Sequence, residues 1–306
     1  MEGDPRAQSA PRAGATRPTV AAITMVRDEQ AMLPRWVAHY AAQCGGPQHL
    51  LVIDDNSTDG STEDLPCPVI RIPPLTKNHF EPSRLSLLSK FAAGLLEAYD
   101  AVLFADADEF LVADPARYAS LVDLVADRPD VPVLGAMGIN LVHHLGHEGP
   151  LDPERPLLSQ RRLAKFIPLM CKPAIKRVPA PWTAASHGVK GTPYLIDPDL
   201  YMFHAKFSDR DSLRAAADHR RQMVEMDGRA QRTNWKFGGD AMVDLLDTIT
   251  GEVPEQQLKE FVPPKKLLAG IVKQEGQTYR ARGDRQVPAM RKRPFTLVPE
   301  RFADLV

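Results

Sequence analysis

The fold class that this sequence predicts is α/β, with a mostly parallel, Rossmann-like sheet flanked by helices. In the first half of the chain, short apolar runs alternate with segments whose apolar residues recur at helical spacing, as in parallel strands joined by crossover helices. Two of these runs end in clusters of carboxylates, and open α/β sheets bind ligands at the carboxyl ends of their strands. Because no G-x-G-x-x-G follows the first run, an ordinary dinucleotide-binding domain is not expected.

Four predicted strands belong to this first half. Each is a run rich in Val, Ile, Leu, Ala or Phe, which indicates a strand buried on both faces of a sheet. The predicted strands cover residues 20–26, 50–53, 69–72 and 101–104. Residues 1–18 are rich in Ala, Pro, Arg and Gly, so we expect a disordered leader before the first strand.

Three helices are predicted between and after these strands. The first begins near Leu33, has apolar residues at i, i+3, i+4, i+7 and i+8, and ends at Gly45. The second covers residues 84–99, where the apolar positions share one face. The third is expected to begin with Asp114 as its N-cap and Pro115 in its first turn.

The second half of the chain is less regular. A strand is predicted over residues 200–203 and ends at His204, and a helix is predicted over 212–226. A basic stretch in this half favours a solvated basic face over contacts with an anionic substrate; its lysines include Lys165, Lys172 and Lys176.

The pattern predicts one main domain over residues 19–250. Its first half, about 19–135, is the regular part, and its second half covers about 136–250. A basic segment over 251–306 is expected to wrap the surface of this domain.

Composition excludes several classes of protein. The 306 residues are 43% hydrophobic and 25% charged, as in an ordinary soluble protein, and a net charge of −1 provides no basic field for nucleic acid. The three cysteines are far apart and lack metal-type spacing, which suggests a reducing compartment. No apolar run approaches the roughly 20 residues that span a bilayer, and no signal peptide is recognisable. We therefore expect a cytoplasmic protein, with peripheral attachment to the inner face of a membrane as an open alternative.

The most informative residues follow the strand at 101–104. Asp106, Asp108 and Glu109 place three carboxylates at the end of a buried strand, where their mutual repulsion favours a bound cation. Mg²⁺ or Mn²⁺ with phosphate oxygens as further ligands suits such a site, while a solvated acidic turn is the simpler alternative.

A second acidic pair, Asp54 and Asp55, follows the strand at 50–53. Neighbouring strands of a sheet lie about 5 Å apart, so this pair and Asp106 could line one cleft. An Asx-type turn or a helix cap is the structural alternative for residues 54–61, which are dense in turn formers.

Three segments together resemble nucleotide-sugar glycosyltransferases of the family 2 type. They are Ile23 to Glu29, the loop Ile53-Asp54-Asp55-Asn56-Ser57-Thr58-Asp59-Gly60, and Phe104-Ala105-Asp106-Ala107-Asp108-Glu109-Phe110, in the order that this family shows. The likeness is to the branch whose acidic motif ends in Asp-Glu-Phe and covers roughly residues 19–210. It implies a GT-A fold, a Mn²⁺ or Mg²⁺ cofactor and a nucleotide-diphosphate sugar donor. A saccharide, a lipid-linked sugar or a surface-polymer precursor is the implied acceptor.

The resemblance also implies roles for residues at the donor side. Arg27 and Glu29 would lie along the nucleotide, and Asp54 or Asp55 would bind the base or the ribose. Three further residues have implied metal roles: Asp106 at the ribose and the metal, Asp108 as a direct ligand, and His204 as an additional ligand. Lys206 would meet the diphosphate. Glu109 would orient a metal ligand or accept a hydrogen bond from a sugar hydroxyl. A structural histidine at a strand end is the alternative for His204.

The acceptor side and the catalytic base are less well marked. Trp182 could stack on a sugar and His187 could bind the acceptor, the diphosphate or the metal, although a lone Trp is more often packed in the core. An inverting enzyme needs a carboxylate that deprotonates the acceptor hydroxyl. Asp240 is the candidate for this base, with N-capping as its structural alternative, and Asp197 and Asp199 are its rivals.

Two other functions fit parts of the pattern. The fold could bind a nucleotide sugar or a glycan without turnover. Alternatively, Asp106 and Asp108 could be the nucleophile and acid of a haloacid-dehalogenase-like phosphatase. That motif normally follows the first strand, whereas here it comes after about one hundred residues.

Overall fold

The structure is a computed structural model that describes residues 17–75, 80–183, 185–227, 234–254 and 257–306. The predicted leader at 1–18 therefore lies almost entirely outside the described residues. The strands are β1 (Val20–Val26), β2 (Leu50–Asp54), β3 (Val69–Arg71), β4 (Ala101–Phe104), β5 (Glu109–Ala113), β6 (Val133–Val142), β7 (Leu163–Phe166), β8 (Pro173–Lys176), β9 (Trp182–Thr183), β10 (Gly188–Lys190), β11 (Leu195–Phe207), β12 (Val272–Glu275), β13 (Thr278–Ala281) and β14 (Thr296–Leu297). The α-helices are α1 (Leu33–Cys44), α2 (Phe80–Leu95), α3 (Leu121–Ala126), α4 (Leu157–Gln160), α5 (Arg210–Asp227), α6 (Gly239–Thr250), α7 (Lys265–Ile271) and α8 (Gln286–Lys292).

A large sheet forms the centre of the protein, with the strand order β14-β7-β6-β8-β4-β1-β2-β3. The strands β4, β1, β2 and β3 are mutually parallel, and β11 adds a further parallel pairing with β6. Antiparallel strands β8, β7 and β14 extend the other half. The predicted α/β class, with a mainly parallel central sheet flanked by helices, is confirmed.

The strand residues alternate between two apolar clusters, one on each face of the sheet. Ala22, Val52 and Leu103 belong to the larger cluster, which also contains the buried face of α1. Ile23 and Ile53 belong to the second cluster, which contains the buried face of α2. Burial on both faces explains why these strands read as continuous apolar runs rather than as alternating ones.

Two predicted helix boundaries are wrong. The second helix covers Phe80–Leu95, so it begins before and ends before the predicted 84–99. The third begins at Leu121, where the Ser120 hydroxyl accepts a hydrogen bond from the Asp123 N–H as its N-cap. Asp114 instead binds the guanidinium of Arg301 through two contacts of 2.8 and 2.9 Å. A partner 187 residues away in the sequence therefore decides the role of this carboxylate.

The long strand β11 joins the two halves of the molecule. It pairs antiparallel with β5 and parallel with β6, so His204 lies opposite both Glu109 and Asn140. The predicted strand at 200–203 is thus the centre of a strand of 13 residues. The pairing places the end of β11 beside the acidic motif.

The segment after residue 251 contributes to both sheets. β12 and β13 form a smaller four-stranded sheet with β10 and β9, and β14 pairs with β7 at the edge of the large sheet. The domain boundary expected at residue 250 stays a prediction. In the part of the chain that the structure describes, no helix is both long and apolar enough for a membrane span.

Candidate functional site

The carboxyl ends of β1, β2 and β4 meet at one edge of the sheet. Val26 lies in register with Asp54, so the turn after β1 and the loop after β2 are neighbours. The Asp28 carboxylate accepts a hydrogen bond from the Thr58 N–H at 2.6 Å, and the Asp28 N–H donates to the Ser57 hydroxyl at 3.0 Å. Asp28 has a left-handed backbone with φ 52°, which Asp tolerates better than most residues. These hydrogen bonds therefore hold the two loops together.

The acidic pair after β2 stabilises its own loop. Asp54 is buried, and its carboxylate accepts hydrogen bonds from the Ser57 N–H (2.7 Å) and the Thr62 hydroxyl (3.1 Å). The first of these bonds is the Asx-type turn that was the structural alternative. Asp55 accepts a hydrogen bond from the Leu75 N–H at 2.7 Å. Contact of either carboxylate with a base or ribose stays a prediction.

Asp106 is neutralised by two cations. It forms an ion pair with Arg84 of α2 and lies 3.7 Å from the ammonium of Lys172. Burial opposes ionisation of Asp106, but the charges of Arg84 and Lys172 outweigh it and lower the pKa of the carboxyl. Arg84 was not predicted from the sequence, because nothing in its helical spacing distinguishes it from a surface arginine.

Glu109 forms a buried ion pair with the same lysine. Lys172 bonds to the Glu109 carboxylate, which also accepts a hydrogen bond of 3.4 Å from the Asp106 N–H. Burial raises the pKa of Glu109 despite the neighbouring Lys172. Glu109 thus fixes Lys172 between the two carboxylates, and the side chain of Lys172 is only 7% exposed.

The expectation of a solvated basic face at Lys165, Lys172 and Lys176 is wrong, because all three side chains are buried. Lys165 and Lys176 lie on β7 and β8, which are interior strands of the large sheet, and Lys172 directly precedes β8. The Lys165 ammonium donates to the Met290 carbonyl and the Lys176 ammonium to the Ala180 carbonyl, each at 2.7 Å.

Asp108 and His204 form the second part of the site. The Nε2 atom of His204 lies 3.3 Å from Oδ2 of Asp108. Burial opposes ionisation of Asp108, but the His204 imidazole outweighs it through charge and hydrogen bonding, so the pKa of Asp108 lies well below its ordinary value. Unlike Asp106, Asp108 has no ion pair with Lys or Arg in the described part of the chain.

A carboxylate and an imidazole that face each other are suitable donors for Mn²⁺, and phosphate oxygens or water could complete its coordination. Asp106 is turned toward Arg84 and Lys172 instead. Within the described ranges, no group of three or more His, Cys, Asp or Glu side chains is arranged to hold a metal ion. Asp108 and His204 fit a divalent cation as two protein ligands of an otherwise open site.

Cationic groups lie next to Asp108. Burial and the nearby charge of Arg220 lower the pKa of Lys206 to about 8, while Asp108 opposes this shift. Arg220 lies on α5, and neither Lys206 nor Arg220 has a hydrogen bond or an ion pair to another described residue. Both line a small pocket with Trp235 and Phe237. Arg220 was missed in the sequence, since several arginines occupy the same helix.

The turn after β1 completes this side of the site. Burial, and then the charge of Asp108, raise the pKa of Glu29 to about 7, although Arg220 opposes the shift. Two buried nitrogens of Arg27, Nε and Nη1, have no hydrogen-bond partner among the described residues, and neither has Nε2 of His219. Buried donors without hydrogen-bond partners are uncommon in proteins; here Arg27 Nε and His219 Nε2 each lie 3.6 Å from the Asp28 carboxylate.

Trp182 does not face the cleft. Its side chain is buried, its indole N–H donates to the Pro173 carbonyl at 2.8 Å, and its ring packs 5.3 Å from that of Phe104. The prediction that Trp182 stacks on a sugar is therefore wrong. The ring belongs to the apolar cluster between the sheet and α2.

The three candidate bases each form an ion pair with an arginine. Asp240 is in the first turn of α6, its side chain is 86% exposed, and it forms an ion pair with Arg214. Gly238, not Asp240, occupies the N-cap position. Asp197 binds Arg128 at 2.8 Å and Asp199 binds Arg117, both near the beginning of β11. All three candidates are therefore held in ion pairs with arginines, and the role of Asp240 as the base stays a prediction.

His187 lies near Asp106 and Lys172. Its Nδ1–H donates to the Leu169 carbonyl at 2.8 Å, so Nε2 carries the free lone pair. Burial, then the charge of Lys172, lower the pKa of His187 to about 3. Ala185 and Ser186, with φ of 56° and 62°, form the unusual turn that presents this imidazole as a neutral hydrogen-bond acceptor.

No protein-family profile and no curated protein matches the sequence. Among solved structures, the chain is similar to the mannosyltransferase PcManGT from Pyrobaculum calidifontis in complex with GDP-Man and Mn²⁺. The identity is 20% over 40% of this chain and 36% of that chain, with a TM-score of 0.28.

The chain is also similar to S. aureus TarS 1–349, with 14% identity over 66% of this chain and 65% of that chain and a TM-score of 0.33. For TarS 1–349 in complex with UDP-GlcNAc, the identity is 13%, the shares are 52% and 45%, and the TM-score is 0.27. The chain spans less than two thirds of the length of each of these structures. Similarities with TM-scores this low support neither the fold nor the site. The fold is assigned from the strand order, and the site is assigned from the contacts described above.

Proposed function

We propose that this protein is a metal-dependent glycosyltransferase that moves a sugar from a nucleotide-diphosphate sugar to a saccharide, lipid-linked or surface-polymer acceptor in the cytoplasm. One observation supports this most directly. The Asp108–His204 pair, suited to a divalent cation, adjoins Lys206 and Arg220, two cations that have no hydrogen bond or ion pair among the described residues. A carboxylate-held metal beside free cations matches a diphosphate in charge and in ligand chemistry.

Different residues would hold the metal ion and the diphosphate leaving group. A bound Mn²⁺ or Mg²⁺ would neutralise the charge that accumulates on the diphosphate as the glycosidic bond breaks. Asp108 and His204 would hold this ion. Lys206 and Arg220 would bind phosphate oxygens, and the two Arg27 nitrogens without hydrogen-bond partners would donate to the same ligand.

Asp106 serves a different purpose in this proposal. With Arg84 and Lys172 compensating its charge, Asp106 can accept hydrogen bonds from ribose or sugar hydroxyls without a metal contact. His187 offers a neutral Nε2 on the other side of Lys172 and suits an acceptor hydroxyl. Glu109 keeps Lys172 in place between these groups.

The test is thermal unfolding of the protein with UDP, GDP and their common sugars, each with Mn²⁺ or with a chelator. Binding to the native state raises apparent stability by RT ln(1 + c/Kd), where c is the free ligand concentration. Because the proposed site holds the diphosphate through the metal, a nucleotide that binds should shift the melting temperature only when Mn²⁺ is present. Asp108→Asn should abolish this shift. Asp240→Asn, which removes an exposed carboxylate, should keep it.

Equal shifts with Mn²⁺ and with chelator would exclude the metal role of Asp108. No shift with any nucleotide would exclude the donor site itself. Release of free sugar from the nucleotide that binds would then separate a transferase from a protein that only binds nucleotide sugars, because only the transferase cleaves the donor.

A further inference from the structure

His204 lies between two side-chain amides. Its Nδ1 atom is 3.1 Å from Oδ1 of Asn140 on β6 and 3.1 Å from Nε2 of Gln286 on α8. The first partner is a hydrogen-bond acceptor and the second is a donor. The imidazole cannot satisfy both, because Nδ1 either carries a proton and donates to Asn140 or lacks one and accepts from Gln286.

The position of the proton on the His204 ring decides whether Nε2 offers a lone pair or donates a hydrogen bond. With the proton on Nδ1, His204 donates to Asn140, and the lone pair of Nε2 faces the Asp108 carboxylate, where a cation can join them. With the proton on Nε2, His204 donates to Asp108 across the 3.3 Å gap, and Nδ1 accepts a hydrogen bond from Gln286. Only the first tautomer is a metal ligand.

We propose that Asn140 and Gln286 are positioning residues that set the tautomer of His204 and so control metal affinity from opposite directions. Asn140 favours the tautomer that binds metal, and Gln286 favours the one that closes the site by a hydrogen bond to Asp108. This inference rests on the metal site of the proposed function. It assigns part of the site to α8, which lies 82 residues beyond His204 in the sequence.

The surroundings of Asn140 support its role as an acceptor. Its side chain is fully buried, and its Nδ2–H donates to the sulfur of Met290 at 3.2 Å. This contact directs the amide nitrogen toward α8 and the amide oxygen toward His204. Met290 itself is held where the Lys165 ammonium binds its carbonyl oxygen at 2.7 Å.

The test is Mn²⁺ affinity of the full chain, measured by electron paramagnetic resonance of the free ion without any nucleotide. Gln286→Met removes the donor at nearly constant length, so the metal-binding tautomer becomes more populated and Mn²⁺ binds roughly threefold to tenfold more tightly. Asn140→Leu removes the acceptor and should weaken binding roughly 10- to 100-fold, as the loss of a ligand's hydrogen-bond partner usually does. Gln274→Met, on the exposed strand β12, is the matched control and should change nothing.

A second measurement reports the tautomer directly and does not depend on metal or activity. ¹⁵N chemical shifts of the imidazole in metal-free protein, assigned by comparison with His204→Gln, should show the proton on Nε2 in the natural chain. In Gln286→Met the proton should move to Nδ1. An Nδ1–H tautomer in both proteins would overturn the proposal, and so would a Gln286→Met variant that binds Mn²⁺ as the natural chain does.

The two measurements separate this inference from the proposed function. If the natural chain binds no Mn²⁺, the metal site fails, and the ¹⁵N shifts still decide whether Gln286 sets the tautomer. If Asn140→Leu does not fold, the Gln286→Met variant carries the test alone, with tighter Mn²⁺ binding as the supporting result and unchanged binding as the contrary one.

Discussion

Lys176 is a buried lysine that has no acidic partner among the described residues. Its ammonium donates to the Ala180 carbonyl and stands 3.1 Å from the centroid of the Trp182 ring. Burial alone lowers the pKa of Lys176 to about 7. The carbonyl and the aromatic face make the charged form tolerable, since they supply a hydrogen bond and a cation–π contact, but they do not replace a carboxylate.

Lys176→Met should remove a pH dependence of stability. The folded-state pKa of about 7 lies below the ordinary value of 10.5, so stability is fully present above pH 10.5 and is lost as pH falls from 10.5 to 7. From pH 9 to pH 7 the natural chain should lose about 2 kcal/mol relative to the variant, at about 1.36 kcal/mol per pH unit. Urea unfolding at both pH values measures this difference.

Lys273→Met is the control for this prediction, because Lys273 is exposed on β12 and its removal should leave the pH dependence unchanged. Parallel pH profiles for the natural chain and Lys176→Met would show that Lys176 stays protonated in the folded protein at pH 9.

The helix α5 turns one of two consecutive arginines toward the site. Arg221 pairs with Asp218 and Glu225 on its own helix, whereas Arg220 lies close enough to Lys206 and Glu29 to influence their ionisation. Consecutive residues of a helix point about 100° apart, so one face of α5 meets the cleft and the next meets solvent.

Arg220→Gln should weaken the Mn²⁺-dependent binding of the nucleoside diphosphate about 10-fold or more, because a charge-assisted hydrogen bond contributes about 1.5–3 kcal/mol. Isothermal titration calorimetry with UDP and GDP measures the change. Binding of the corresponding nucleoside should be unaffected, since it carries no phosphate.

Arg221→Gln provides a control of identical chemistry one position away, with less than a twofold effect expected. A similar loss in both variants would mean that the general charge of α5, and not a specific contact of Arg220, attracts the nucleotide.

The final segment of the sequence packs against the strand β11. Phe302 is fully buried against Tyr201 and Phe203 of β11, at ring distances of 4.6 and 5.3 Å. Arg301 binds Asp114 and the hydroxyl of Tyr201. These contacts tie residues near the end of the sequence to the strand that carries His204.

Phe302→Ala should therefore destabilise the whole chain by about 3–5 kcal/mol, the usual cost of truncating a buried aromatic ring. Circular dichroism and tryptophan fluorescence should report the same urea transition, because the final segment and the sheet unfold together. Phe237→Ala, at a side chain that is 44% exposed, should have a much smaller effect. Two separate transitions would show instead that the final segment unfolds independently.

The sequence by itself determined the α/β class, the parallel strands and the acidic motifs at their ends. These features depend on short-range patterns: apolar runs of four to seven residues form interior strands, and turn-forming residues follow them. The place of His204 near the acidic motif was implied by the family resemblance, for a histidine at the end of a predicted strand. The structure brings His204 and Asp108 together, while the metal role of this pair stays a prediction.

Only the tertiary structure decided which charged side chains meet. Lys172 was expected in solvent and is buried between Asp106 and Glu109, and Gln286 reaches His204 from a segment expected on the surface. Each of these pairs is separated by more than 60 residues. Local periodicity shows that a side chain is polar, but its partner depends on strand order and register. The fold therefore determines which of these groups can serve at the site.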